Sequence, residues 1–346
     1  MRHKIFKIIL AILFALFFCC QIQQTNLLSD AQKLERFFNK KEVTILVTDS
    51  GLGGVSVAAD VVERLKHSGV FKKAEVVFFN AQPHIKSGYN MQKTTEQKVA
   101  IFENVLRAME EKLKPDLLMI ACNTLSVLYP LTDFSKQTEI PVVGVVETGV
   151  DLIEQNLREH PESPVIIFAT STTVKQNNHK RMLMERGIPE EKIITQACPR
   201  LAGSIERGYQ SKETDSLVNK YVSAAIEHLG QVDVPVFISF NCTHYGYISD
   251  QFESGFMKRG VPVRALLDPN PQMADFLFTE AYRNRYPQTE VSIRIISQPE
   301  LPEKRIASIS ELIGKVSPQT AEALRNYQFT PEFFEWRSLA VPIEED

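Results

Sequence analysis

Residues 43–54 read VTILVTDSGLGG, an uncharged, β-branched run that ends on Asp49 and Ser50 and breaks into a glycine-rich turn. Such a run fits a strand covered on both faces, and the segment after the turn reads as a helix. Glycine lets a backbone approach a ligand closely, and amides at a helix start can hold a carboxylate or phosphate. Ser56 stands where a dinucleotide fingerprint needs its third glycine, and no Gly-Lys-Ser/Thr follows. The turn therefore reads as a small anion-binding loop with Asp49 aimed into a cleft, or as a plain structural turn.

Outward from this stretch, comparable apolar runs recur at 75–80, 116–121, 141–146, 164–169, 192–197, 234–239 and 261–267. Between them, residues 92–113 place Val99, Phe102, Val105, Leu106, Met109 and Leu113 on one helical stripe. Strands alternating with helices predict an α/β protein with mainly parallel sheets. At 346 residues with 44% hydrophobic content, the chain can build two domains of ordinary size. The net charge of -3, with both signs mixed along the chain, carries no footprint for nucleic acid.

The chain also repeats. VTILVTDSG (43–51) leads to LMIACNT (118–124), and SPVIIFATST (163–172) leads to FISFNCTH (237–244). Asp49 precedes Cys122 by 73 residues and Thr170 precedes Cys242 by 72. This near-equality predicts two pseudo-symmetric α/β domains, and ligands of open α/β sheets sit beyond the carboxyl ends of the strands. The expected boundaries are 42–140 plus 251–346 for the first domain and 141–250 for the second. A polar linker over 23–41 and a signal or anchor segment over 1–22 precede them.

That first segment is basic (MRHKIFK) and then apolar over Ile8–Cys20, the pattern of an export signal or membrane anchor. It is the one membrane contact expected, with the domains on the periplasmic side favoured and a cytoplasm-facing anchored enzyme as the alternative. Beyond it stand Cys122, Cys198 and Cys242, too dispersed for a disulfide framework and without a C-x-x-C pair. A thiol at a strand end beside helix-start amides can act as base or nucleophile. Asn123, Thr124 and Thr243 supply groups that can hold a carboxylate or an ammonium, and His244 can exchange a proton near neutral pH. Two opposed thiols suit removal of a proton from one face of a carbon and its return to the other. Cys242 with His244 as a hydrolytic nucleophile is the competing use, and it leaves Cys122 without a role. Cys198 reads as structural.

These residues resemble the cofactor-independent, two-cysteine glutamate racemases of the aspartate/glutamate racemase superfamily. TDSGLGGVSV resembles that family's opening signature, ACNT and NCTHY its two cysteine sites, and GVVETG, ATSTTVK and ACPRLAGSIERG further blocks in order. The resemblance implies Cys122 and Cys242 as acid/base thiols, with Asp49 assisting the first and His244 with Glu147 assisting the second. It implies that Asp49, Ser50, Asn123, Thr124, Thr243 and His244 hold the substrate, without metal or cofactor. Its fold would be two α/β domains about a central cleft, and a homodimer is compatible with it. The implied reaction is racemisation of an acidic amino acid, glutamate foremost. Alternatives are aspartate racemisation, an isomerase or decarboxylase of a small dicarboxylic acid, or a silent exported dicarboxylate-binding protein. The chain departs from the pattern at 80–93, NAQPHIKSGYNMQK, where Asn80 replaces an Asp and Tyr89-Asn90 stands for a Tyr-Gly pair that binds substrate. Gly246 replaces the usual proline after CTHY.

Overall fold

The computed structural model describes residues 28–230 and 233–342. The apolar run 8–20, and with it the signal or anchor reading, lies outside the described residues.

β1 (Glu42–Asp49) lies between β2 (Lys73–Asn80) and β3 (Leu117–Ile120), parallel to both, and β4 (Val142–Gly144) extends the sheet beyond β3. In the second half β5 (Val165–Ala169) lies between β6 (Ile193–Ala197) and β7 (Val236–Asn241), and β8 (Val263–Leu267) extends that sheet. The orders β2-β1-β3-β4 and β6-β5-β7-β8 are the same order used twice, which is the internal repeat in three dimensions. β9 (Glu290–Ser297) and β10 (Gln328–Phe329) then widen the first sheet to six strands, β9 pairing with β2 along its whole length.

Both sheets are α/β layers with apolar strands: every residue of β3, β5 and β7 is buried. The helix Thr95–Leu113 covers one face of the first sheet, starting at a capping box between Thr94 and Gln97 and burying Ile101, Phe102, Val105, Leu106 and Met109. Val99 and Leu113 are only partly buried against that core.

Three expectations need correction. The first sheet keeps the chain through Gly144, because Val142–Gly144 pairs with β3, so the crossing to the second unit falls later than residue 140. The second sheet keeps it through Leu267, because β8 pairs with β7, so the return falls later than residue 251. The expected linker 23–41 contains a helix, Asp30–Phe38, started by a capping box of Ser29 and Gln32. Phe37 and Phe38 are buried there, with Phe37 edge-on to Phe71 at 5.1 Å. Polar spacing hid this helix, since one short apolar face is enough to dock it.

Candidate active site

The carboxyl ends of β1, β3, β6 and β7 meet around one cavity of about 360 Å³. Its lining includes Asp49, Ser50, Tyr89, Asn90, Cys122, Asn123, Thr124, Cys242, Thr243 and His244. All the expected residues except Glu147 are thus brought together.

Cys122 follows β3 and is the N-cap of the helix Asn123–Leu128, while Cys242 follows β7. The thiols are 5% and 6% exposed, reachable from the cavity and otherwise enclosed. Ser50 Oγ lies 3.1 Å from Cys122 Sγ and 3.5 Å from Asp49 Oδ1, so Asp49 reaches the thiol through Ser50. Burial, and then the negative charge of Asp49, push the Cys122 thiol well above its ordinary range. Helix-start amides alone suggest the opposite direction, and burial outweighs them. At rest Cys122 is a proton donor.

The other thiol has different company. His244 Nδ1 lies 3.7 Å from Cys242 Sγ, and Nε2 is 2.7 Å from Glu206 Oε1. Burial opposes a charge on His244, but Cys242 and Glu206 together outweigh it and lift its pKa well above the ordinary value. Burial likewise opposes the charge on Glu206, and His244, Arg305 and the Leu52 amide outweigh it and hold the carboxyl ionised. The result is an imidazolium facing Cys242 across 3.7 Å.

Glu147 does not take part. The helix Val145–Glu159 buries Val145, Val146, Gly149, Val150, Ile153 and Leu157, and this stripe turns Glu147 outward, where it is exposed. The acid beside His244 is Glu206, on the helix Leu201–Arg207 within ACPRLAGSIERG. In the sequence, Glu206-Arg207 looks like a solvated pair, and nothing local reveals which of the two faces inward.

The glycine turn has a role neither sequence reading gave it. A Cβ on Gly53 would stand 2.2 Å from Thr243 Oγ1 and 2.6 Å from His244 Nδ1, so glycine lets the two units close on each other there. One amide of the turn does hold a carboxylate, Leu52 N donating to Glu206 Oε1 at 2.8 Å. Asp49 reaches across as well, accepting from Thr243 Oγ1 at 2.6 Å.

The remaining polar groups divide into used and available. Thr124 and Thr170 pair their hydroxyls at 2.8 Å, and Asn90 Oδ1 accepts from Thr172 N at 3.0 Å, so these side chains tie the units together. Asn90 lies in the turn Tyr89–Met91 and is not among the left-handed residues, so no glycine-like geometry is used there. By contrast Asn123 Oδ1 and Nδ2 and the Tyr89 hydroxyl are buried on the cavity wall and lack a protein partner among the described residues. Buried polar atoms are normally paired, so these are the groups left to receive a polar ligand. Cys198, read as structural, also borders the cavity, its Sγ 3.7 Å from the Gln196 carbonyl oxygen. Among the described residues no group of three or more His, Cys, Asp and Glu is arranged to hold a metal ion.

Two matched α/β units each bring a buried thiol to one cavity, an arrangement suited to proton transfer between two cysteines. The family model described as Asp/Glu/Hydantoin racemase matches residues 45–271, and the chain belongs to that family. The chain is 27% identical over 237 residues to a glutamate racemase of Lactobacillus acidophilus, covering 68% of this chain and 80% of that one. A glutamate racemase of Nitratiruptor sp. is 25% identical, with 63% and 78% covered. Among solved structures, the glutamate racemase of Francisella tularensis in complex with D-glutamate superposes with a TM-score of 0.60 at 20% identity, covering 81% of this chain and 95% of that one. That of Aquifex pyrophilus gives 0.55 at 20% identity, with 83% and 97% covered. These structures share the fold.

Proposed function

We propose that the protein interconverts the enantiomers of an acidic amino acid, glutamate foremost, by proton transfer between the substrate α-carbon and two thiols. The observation that carries this reading is the placement of Cys122 and Cys242, from equivalent strand ends of the two units, on one cavity. Cys242 takes the α-proton from one face, and the Cys122 thiol delivers a proton to the other. The reverse reaction exchanges the roles. The family and the curated relatives support glutamate over the dicarboxylic acids without an amino group. The unpartnered Asn123 amide and Tyr89 hydroxyl are suited to the carboxylate and ammonium groups of such a substrate. The export or anchoring role of residues 1–22 is kept in this reading, supported by its basic-then-apolar sequence alone.

The test offers L-glutamate, D-glutamate, L-aspartate and an amino-free dicarboxylate separately and follows optical rotation and product composition. Glutamate of either hand should decay to the racemate. Inert glutamate with turnover of aspartate or of the amino-free acid would replace the substrate, and inertness towards all four would remove the activity.

A further inference from the structure

We propose that Arg305, in the helix Glu303–Gly314, is a positioning residue that clamps Glu206 across the cleft and through it sets the charge state of the His244–Cys242 pair. Arg305 lies outside the region matched by the family model, and no motif of the sequence points to it. The inference rests on the two-thiol reading above only for its consequence in catalysis.

Arg305 Nη1 donates to Glu206 Oε2 at 2.9 Å and to Gln82 Oε1 at 3.4 Å. Both side chains of the ion pair are enclosed, at 12% and 4% exposure. Glu206 is thereby held at both oxygens: Oε1 by His244 Nε2 and Leu52 N, Oε2 by Arg305. A carboxylate this deep is costly unless fully paired, and its orientation decides whether His244 keeps its proton facing Cys242. Gln82 belongs to the unusual turn after β2, so one guanidinium joins that turn, the helix Glu303–Gly314 and the second unit. The groups facing Cys242 are His244 and Tyr245 from its own segment and Cys198 from the end of β6, with Glu206 behind His244. Arg305 completes a row of alternating charge, imidazolium, carboxylate, guanidinium. Removing it takes one positive charge from the row and lets the carboxylate turn.

The test reads the thiols themselves and needs no turnover. Wild type, Arg305→Gln and Arg305→Lys are treated with iodoacetamide over the range of thiol titration, and modification of Cys122 and Cys242 is followed by peptide mass spectrometry. In Arg305→Gln the Cys242 midpoint should rise by about one pH unit. It should return towards wild type in Arg305→Lys, with Cys122 unmoved throughout. Arg305→Met, which leaves no unpaired amide, gives the same readout where the glutamine variant does not fold. An unmoved Cys242 midpoint, or equal movement of both thiols, overturns the proposal. A shifted Cys242 in a protein inert towards every amino acid would keep this inference and remove the racemase reading.

Discussion

Glu147 and Glu206 separate what residue chemistry can and cannot tell. Both lie in blocks that resemble the family, and both could serve a histidine. Only Glu206 stands 2.7 Å from His244, while Glu147 is exposed on the outer face of its helix. Replacing Glu206 by Gln keeps the shape and removes the charge that holds His244 protonated. Turnover of glutamate should then fall by about 10²-fold or more, as for loss of one acid–base partner, whereas Glu147→Gln should stay within about twofold of wild type. Steady-state racemisation rates of the two variants decide this, and equal losses would return Glu147 to the site. The thiols, Asp49, Ser50 and the Asn and Thr side chains were legible because each sits at a strand end beside a glycine or a helix start. Glu206 and Arg305 were not. They are 99 residues apart, and their pairing depends on how the helix Glu303–Gly314 docks.

At the scale of elements, the loop after β7 explains the missing proline. A Cβ on residue 246 would stand 2.1 Å from Asp268 Oδ2, so Gly246 and Asp268 share space that a larger residue would need. Asp268 follows β8, and burial raises its pKa to about 6, against the bond its carboxylate accepts from Asn270 N. Its folded pKa exceeds the unfolded value near 3.8, so ionising it costs stability. The cost is absent below the lower value, grows as pH rises between the two, and is complete above about 6. About two pH units correspond to roughly 3 kcal/mol at most. Asp268→Asn, which keeps the acceptor for Asn270, should therefore raise the melting temperature at about pH 8 and leave it near wild type at about pH 4. Melting curves at the two pH values check it, and an equal shift at both would point to packing instead of charge. Strand positions were legible to within two or three residues because buried parallel strands are continuous apolar runs. The helix Asp30–Phe38 was not, because two aromatic side chains suffice to dock it.

The whole molecule is one strand order used twice, with its two copies closed on a shared cavity and a C-terminal addition locking one side. The 73 and 72 residue spacings made the repeat visible, since equal chain lengths return to equal strand ends. The domain boundaries were less visible, because β4 and β8 each pair one strand later than the sequence blocks suggest. The closure is held by polar ties between the units: Asp49 with Thr243, Thr124 with Thr170, Asn90 with Thr172, and Glu206 with Leu52 and Arg305. They place two thiols with different charge partners on one cavity. If both thiols carry protons, α-deuteration in heavy water reveals it. L-Glutamate and D-glutamate are incubated separately with wild type, Cys122→Ser and Cys242→Ser, and the α-position of each enantiomer is followed by NMR. Wild type should yield a product enantiomer deuterated at the α-carbon, and either serine variant should racemise about 10²–10⁴-fold more slowly. A product that keeps its original α-proton, or a Cys122→Ser enzyme racemising at the wild-type rate, would contradict it.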